Sequence, residues 1–109
     1  MNSRFAEVVE RLAATIEARR DGDTSTSYTA QLLSDLERAS KKFGEEAVEA
    51  VIAAARGDRE GLIAESADLV YHWLVVLAAS GVSLDEVAER LAAREGTSGL
   101  AEKAARKKS

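Results

Sequence analysis

The sequence contains no cysteine and no proline, and it has a single histidine. Without cysteine, disulfides and thiolate metal sites are excluded, and any metal ion must be held mainly by oxygen atoms. Without proline, glycine and short Ser/Thr/Asp clusters are the only strong breaks along the chain. These absences favour an all-helical chain with short polar loops, and they restrict a metal centre to hard cations.

Length and charge further restrict the number of domains and the kinds of partner that we expect. A chain of 109 residues with 46% hydrophobic content is long enough for one domain and too short for two. Fifteen Lys and Arg against nineteen Asp and Glu give a net charge of -4, which argues against a nucleic-acid or anionic-membrane surface. Residues 1–12 lack the apolar core of a signal peptide, so we expect a cytoplasmic protein. The apolar run 69–79 is interrupted by His72, so we expect no membrane span.

Apolar residues recur at spacings of three and four, which is typical of amphipathic helices. The expected helices cover residues 3–19, 28–33, 34–56, 59–79 and 83–95. Ser34 with Glu37, and Ser83 with Glu86, each fit a capping box at a helix start. Gly44 costs its helix about 1 kcal/mol relative to alanine, which suggests a close-packing or ligand-binding reason. We predict an all-α bundle of four to five helices over residues 1–95, with residues 96–109 as a basic tail of the same domain.

Charged side chains of two helices fall on narrow stripes. At 100° per residue, an arc of about 100° on the helix 34–56 contains Lys42, Glu45, Glu46 and Glu49. On the helix 59–79, an arc of about 60° contains Glu65, Asp68 and His72. Glu49 lies nine residues before Asp58 and Asp68 ten after it, so both lie about 14 Å from the turn. An antiparallel hairpin therefore brings the pairs Glu46/Glu49 and Glu65/Asp68 together between the helices.

Carboxylates gathered in this way repel one another, and a buried bare carboxylate is costly. A hard divalent cation is the simplest remedy, and all-oxygen ligation favours Mg²⁺, with Mn²⁺ as the alternative. Such a site suits metal-assisted hydrolysis of a phosphoanhydride, in which a spare carboxylate holds the attacking water. For Glu45 three roles stay open: metal ligand, water-orienting base or solvent-facing side chain.

The two carboxylate pairs, Glu46-x-x-Glu49 and Glu65-x-x-Asp68 with fifteen residues between them, resemble the E-x-x-E…E-x-x-D signature of the all-α nucleoside-triphosphate pyrophosphohydrolases, the MazG-like superfamily. Within it, the stretches SYTAQLL, KKFGEEAVEAVIAA, ESADLVYHWLVVL, GVSLDEVAERLAAR and GTSGLAEKAARK are similar to the phosphoribosyl-ATP pyrophosphohydrolases over about residues 27–107. The resemblance implies Mg²⁺-dependent hydrolysis of phosphoribosyl-ATP to phosphoribosyl-AMP and pyrophosphate, the second step of histidine biosynthesis. It also implies a helical homodimer.

Under this interpretation the site residues take three kinds of role. The expected metal ligands are Glu46, Glu49, Glu65 and Asp68, and the expected catalytic carboxylates are Glu45, Glu46 and Glu49. The expected substrate contacts are Lys42, Tyr28, His72, Arg94, Lys103 and Arg106. The extra ribose phosphate of the substrate is a dianion that invites Lys or Arg. His72 also fits a hydrogen-bonded partner of the carboxylates, and Tyr28 also fits a packing aromatic.

Three other classes of protein compete with this interpretation. A house-cleaning nucleoside-triphosphate pyrophosphohydrolase would share the carboxylates and differ only in the flanking stretches. A helical interaction module would leave the paired acids as a solvated face and would bind no Mg²⁺. A di-iron four-helix bundle needs Glu-x-x-His on two helices, which a chain with one histidine lacks. In any of these, the helix 59–79 is apolar around most of its circumference, which predicts that a second copy covers it.

Overall fold

Five helices make up the regular structure of the chain. The computed structural model describes residues 4–96 together with residues 99, 103, 104 and 106, and over residues 4–96 it contains no strand. The helices are α1 (Arg4–Ala18), α2 (Tyr28–Leu33), α3 (Leu36–Ala55), α4 (Arg59–Ala79) and α5 (Leu84–Ala93). The all-α prediction is confirmed. Most of the predicted tail, residues 96–109, lies outside the described residues.

Polar caps set the helix boundaries, and one of the two predicted caps is wrong. Ser83 and Glu86 form the expected capping box at the start of α5, with both reciprocal hydrogen bonds present. At the start of α3 the cap is Asp35, whose side chain accepts a hydrogen bond from the Arg38 amide at 3.1 Å. Ser34 is instead the C-cap of α2, because its own amide still bonds back into that helix. Ser34 and Asp35 are adjacent in sequence and both are good N-cap residues, and Asp35 is the one that caps α3.

The hairpin of α3 and α4 is the main packing unit, because these two helices contact each other more extensively than any other recorded pair. Gly57, with φ of 67°, makes the turn, and the Asp58 side chain then caps α4 through the Gly61 amide at 2.9 Å. The chain therefore reverses within three residues, and the two long helices run antiparallel as predicted. Close packing does not explain why position 44 is a glycine, since a Cβ placed on Gly44 would meet nothing within 4 Å.

The buried core lies where α1, α2 and α3 meet α4. Its fully or nearly fully buried members are Ile16, Leu32, Ala39, Leu74 and Val75. Helix α5 approaches this core through Leu84. Burial of these side chains supplies the hydrophobic stabilisation of the bundle, and it holds α2 against both α3 and α4.

Much of the apolar surface of α1 and α4 is nevertheless uncovered. Phe5 is 72% exposed and Ile63 52% exposed, and the two line a shared groove of about 450 Å³. By length and composition, α4 as a whole would be able to cross a bilayer. The expectation against a membrane span considered only the shorter run 69–79. In the folded chain α4 contacts three other helices, although little of it is buried, and it carries two acidic side chains of the site described next.

Candidate active site

Three carboxylates meet between the two long helices. Glu46 on α3 and Glu65 and Asp68 on α4 each place one carboxylate oxygen so that all three oxygens lie within 4.8 Å of one another. Glu46 and Glu65 are half-buried, and Asp68 is exposed. We call this group the acid cluster. Two of its members lie three residues apart on one face of α4, and the antiparallel hairpin brings the third to the same level.

The fourth predicted ligand, Glu49, lies beside the acid cluster without joining it. Its side chain is exposed, whereas that of Glu46, one turn earlier, is half-buried against α4. Its charge still acts on Glu65, because it contributes to the raised pKa of that residue. The face of α3 that is turned toward α4 is therefore closer to Glu46 than to Glu49.

Burial, and after it the crowding of negative charges, set the electrostatics of the acid cluster. The pKa of Glu65 is raised, first because burial penalises its charged form, then because it shares a hydrogen bond with Glu46. The negative charges of Glu46, Glu49 and Asp68 raise it further. Glu65 therefore holds a proton more tightly than an isolated carboxyl group, and a cation bound at the same place would relieve the same repulsion.

The donor set of the acid cluster fits a hard divalent cation. Its three donors are carboxylate oxygens, which suit Mg²⁺ or Mn²⁺ and suit softer metals poorly. An octahedral Mg²⁺ with bonds of about 2.0 to 2.1 Å places its ligands about 3 to 4 Å apart. Oxygens already gathered within 4.8 Å need only a small side-chain adjustment to reach that spacing.

Glu45 and Lys42 form an ion pair next to the acid cluster. Lys42 Nζ lies 3.3 Å from Glu45 Oε1, and both side chains are well exposed. The pKa of Lys42 is raised, first by this hydrogen bond and then by nearby charge, including that of Glu46. The carboxylate of Glu45 is thus turned toward Lys42, and its three candidate roles remain predictions.

Tyr28 and His72 connect α2 to the acid-bearing stretch of α4. The Tyr28 hydroxyl lies 3.4 Å from His72 Nε2, and the two rings meet edge to face. His72 Nδ1 in turn lies 2.8 Å from the main-chain oxygen of Asp68. Because His72 is buried and Tyr28 is 42% exposed, only the tyrosine presents much surface to a ligand. The contact from His72 reaches the backbone at Asp68 and not its carboxylate.

Two residues that the sequence interpretation passed over also lie here. The Arg38 guanidinium sits over the Tyr28 ring, with Cζ 5.7 Å from the ring centroid. Its Nη1 donates a hydrogen bond to Gln31 Oε1 at 3.2 Å. The sequence contained one indication that Arg38 belongs to the site: it precedes Lys42 by four residues, so the two lie on the same face of α3.

The remaining predicted substrate contacts lie at the C-terminal end of the described chain. Arg94 is the C-cap residue of α5, and Lys103 and Arg106 are exposed. Their roles toward a substrate stay predictions.

An all-helical fold with a carboxylate cluster between antiparallel helices has the arrangement expected of the all-α pyrophosphohydrolases. Comparison with known families matches residues 9–95 to phosphoribosyl-ATP pyrophosphohydrolase. The phosphoribosyl-ATP pyrophosphatase of Caulobacter vibrioides is 66% identical over 97% of this chain and 99% of its own length. The phosphoribosyl-ATP pyrophosphatase of Cereibacter sphaeroides is 60% identical over 91% of this chain and 97% of its own length. That of Ruegeria pomeroyi is 55% identical over 93% of this chain and 97% of its own length. The chain belongs to the phosphoribosyl-ATP pyrophosphohydrolase family.

Proposed function

We propose that this protein hydrolyses phosphoribosyl-ATP to phosphoribosyl-AMP and pyrophosphate at the acid cluster, as a cytoplasmic enzyme of histidine biosynthesis. The observation that carries the proposal is the meeting of Glu46, Glu65 and Asp68 within 4.8 Å in a chain of this family. Three crowded carboxylates are costly unless a cation or a proton offsets them, so the arrangement is best explained as a ligand set.

Glu46, Glu65 and Asp68 would hold Mg²⁺ or Mn²⁺, with Glu49 beside them as a fourth oxygen donor. When bound, the cation would neutralise the charge that develops on the phosphate oxygens. A carboxylate outside the three-residue group, Glu49 or Glu45, accepts a proton from the attacking water. The water oxygen then bonds to phosphorus, the anhydride bond between the α- and β-phosphates breaks, and pyrophosphate leaves.

We also propose that the enzyme works as a homodimer. The groove between α1 and α4 is lined almost entirely by apolar side chains, among them Phe5, Val8, Leu62 and Ile63. Each of these four is more than a third exposed in the single chain. Apolar surface of this kind on a small protein marks an interaction site, and a second copy of the chain would cover it symmetrically. We place residues 96–109 in the same domain, as its basic tail.

Pyrophosphate release tests the proposed activity directly. The purified protein is incubated with phosphoribosyl-ATP, ATP or deoxynucleoside triphosphates, each with and without Mg²⁺. We expect release from phosphoribosyl-ATP that depends on Mg²⁺ and far exceeds release from the other nucleotides. Equal efficiency on ordinary triphosphates would favour a house-cleaning pyrophosphohydrolase, and no release in any mixture would contradict an enzymatic role for the acid cluster.

A further inference from the structure

Positive charge lies one to two helical turns from the acid cluster on the same face of α3. Arg38, Lys42 and Glu46 follow one another at intervals of four residues, so their side chains share one side of the helix. At 1.5 Å per residue, Lys42 is about 6 Å and Arg38 about 12 Å from Glu46 along the axis. Arg38 adjoins the acid cluster together with Lys42, which is ion-paired with Glu45, in a chain whose net charge is -4. We call Arg38 and Lys42 the cationic patch.

The Arg38 side chain is held in place by two neighbours from α2. Its guanidinium lies 5.7 Å from the Tyr28 ring centroid, and it donates to Gln31 Oε1 at 3.2 Å. Among residues 4–96, no carboxylate lies within 4 Å of it as an ion-pair partner. A guanidinium has five N–H donors, so most of them remain available to an anion. Because the guanidinium already lies over the Tyr28 ring and is hydrogen-bonded to Gln31, less side-chain entropy is lost when an anion binds.

Tyr28 joins this patch to the acid cluster. One face of its ring carries Arg38, while its hydroxyl lies 3.4 Å from His72 Nε2. His72 is in turn bonded to the backbone of Asp68, a member of the acid cluster. The cationic patch and the acid cluster therefore belong to one continuous wall formed by α2, α3 and α4.

We infer that Arg38, which lies over the Tyr28 ring, binds the phosphate of the second ribose of phosphoribosyl-ATP and so distinguishes this substrate from ATP. The inference rests on the proposed function. Both nucleotides carry a triphosphate, which the acid cluster and its cation treat alike, so discrimination has to come from another contact. The second phosphate is a dianion that a guanidinium fork matches well. The purine and two riboses separate it from the triphosphate, so the contact that holds it has to lie outside the acid cluster.

Binding of the product tests this assignment without relying on catalysis by each variant. Phosphoribosyl-AMP carries the second ribose with its phosphate and AMP lacks both, so calorimetric titration with both compounds isolates the contribution of the phosphoribosyl group, and the loss of the Arg38 guanidinium then tests its phosphate. We expect Arg38→Gln to weaken phosphoribosyl-AMP binding by about 10- to 100-fold and to leave AMP binding unchanged. Lys41→Gln is the matched control, since it removes one positive charge from the same helix at an exposed position.

Arg38→Lys and Tyr28→Phe refine the assignment. Arg38→Lys keeps the charge without the planar fork, and we expect it to recover only part of the lost affinity. Tyr28→Phe keeps the ring under Arg38, and we expect it to preserve the preference for phosphoribosyl-AMP over AMP.

Two results would overturn the assignment. One is unchanged binding of phosphoribosyl-AMP by Arg38→Gln, and the other is an equal loss for both compounds, which would indicate a role in folding or in holding the shared nucleotide. If Arg38→Gln does not fold, the ratio of the two affinities in Arg38→Lys decides in the same way. Turnover of phosphoribosyl-ATP by the unaltered protein tests the proposed function separately. If that turnover is present and Arg38→Gln binds normally, only the role of Arg38 fails.

Discussion

His72 Nδ1 lies 2.8 Å from the main-chain carbonyl oxygen of Asp68, one turn earlier on α4. A carbonyl oxygen only accepts hydrogen bonds, so Nδ1 carries a proton and donates it. In the neutral ring, Nε2 is then an acceptor facing the Tyr28 hydroxyl at 3.4 Å. The buried imidazole therefore supports both the tyrosine on α2 and the backbone next to an acidic residue of the site.

Replacing His72 should affect turnover more than stability. His72→Leu fills much of the same buried space but removes both polar contacts, and we expect turnover to fall by about 10- to 100-fold, as for other residues that orient metal ligands. His72→Asn keeps a donor near the position of Nδ1 and should recover part of the activity. Steady-state kinetics and urea unfolding of the two variants check this. A loss of stability without a selective loss of turnover would show that the imidazole is only a packing group.

Removing the acid-cluster carboxylate of Asp68, or the carboxylate of Glu49 beside the acid cluster, should abolish activity without unfolding the protein. We expect Asp68→Ala and Glu49→Ala to lower Mg²⁺-dependent turnover by more than about 100-fold, because several kcal/mol of charge stabilisation depend on the cation. Without metal, the melting temperature should stay the same or rise, since one repelling charge is gone. Near-normal turnover of either variant at saturating substrate and Mg²⁺ would remove that residue from the set of ligands.

Gly44→Ala should stabilise the protein. The position is helical and a Cβ there meets nothing within 4 Å, so the change improves helix propensity by about 1 kcal/mol with no steric cost. We expect a melting temperature several degrees higher and unchanged turnover. Glu45 and Lys42 lie close by, so a rise in KM with this substitution would instead show that a ligand approaches the α3 backbone at Gly44. Differential scanning calorimetry and kinetics separate the two outcomes.

The capping box of α5 should contribute a pH dependence to stability. Hydrogen bonds from the backbone amide and hydroxyl of Ser83 lower the pKa of Glu86. A carboxyl group with a lower pKa in the folded state contributes stability above its unfolded pKa and loses it as the pH falls through its folded pKa. We expect Glu86→Gln to be less stable than the parent near neutral pH, and the difference to disappear in acid. Urea unfolding at several pH values measures this, with Glu89→Gln as the control on the same helix. A difference that is constant with pH would exclude the charge as its cause.

A charge placed in the groove between α1 and α4 should separate the proposed dimer. Ile63 is 52% exposed there, and Ile63→Glu would bury an unpaired carboxylate if a second copy covers it. We expect sedimentation to show a shift from dimer to monomer at micromolar concentration. Leu91→Glu introduces the same charge on α5 at a residue that is 59% exposed and outside the groove. Dissociation by Leu91→Glu alone would place the interface on another face, and a stable active monomer of the unaltered chain would exclude the dimer.

The sequence predicted the helices well because their apolar periodicity and their glycine breaks are local properties. The one wrong cap, at Ser34, arose where two adjacent residues are both able to cap a helix and only the path of the chain between α2 and α3 decides which one does. The close-packing explanation for Gly44 was wrong, because a glycine in a helix occurs in open space as readily as at a close contact. The ligand-binding explanation stays a prediction.

The candidate site was only partly predictable. Helical spacing placed Glu46, Glu65 and Asp68 on facing stripes, and the structure brings these three together. Spacing alone did not decide whether Glu46 or Glu49 comes closer to α4, because that depends on how the two helices are rotated against each other. Arg38 was missed because its contact with Tyr28 depends on how the short helix α2 folds back onto α3.

All three acid-cluster residues come from one continuous stretch of 23 residues, from Glu46 to Asp68, that folds back on itself at Gly57. The site thus forms with this one hairpin, because its contacts across the helices join residues 19 and 22 positions apart and no more distant segment supplies a member of the acid cluster. The same feature makes it sensitive to length. One residue inserted into α4 between its start at Arg59 and Glu65 would turn Glu65 and Asp68 by about 100° around the helix axis, away from Glu46, even if every helix remained intact.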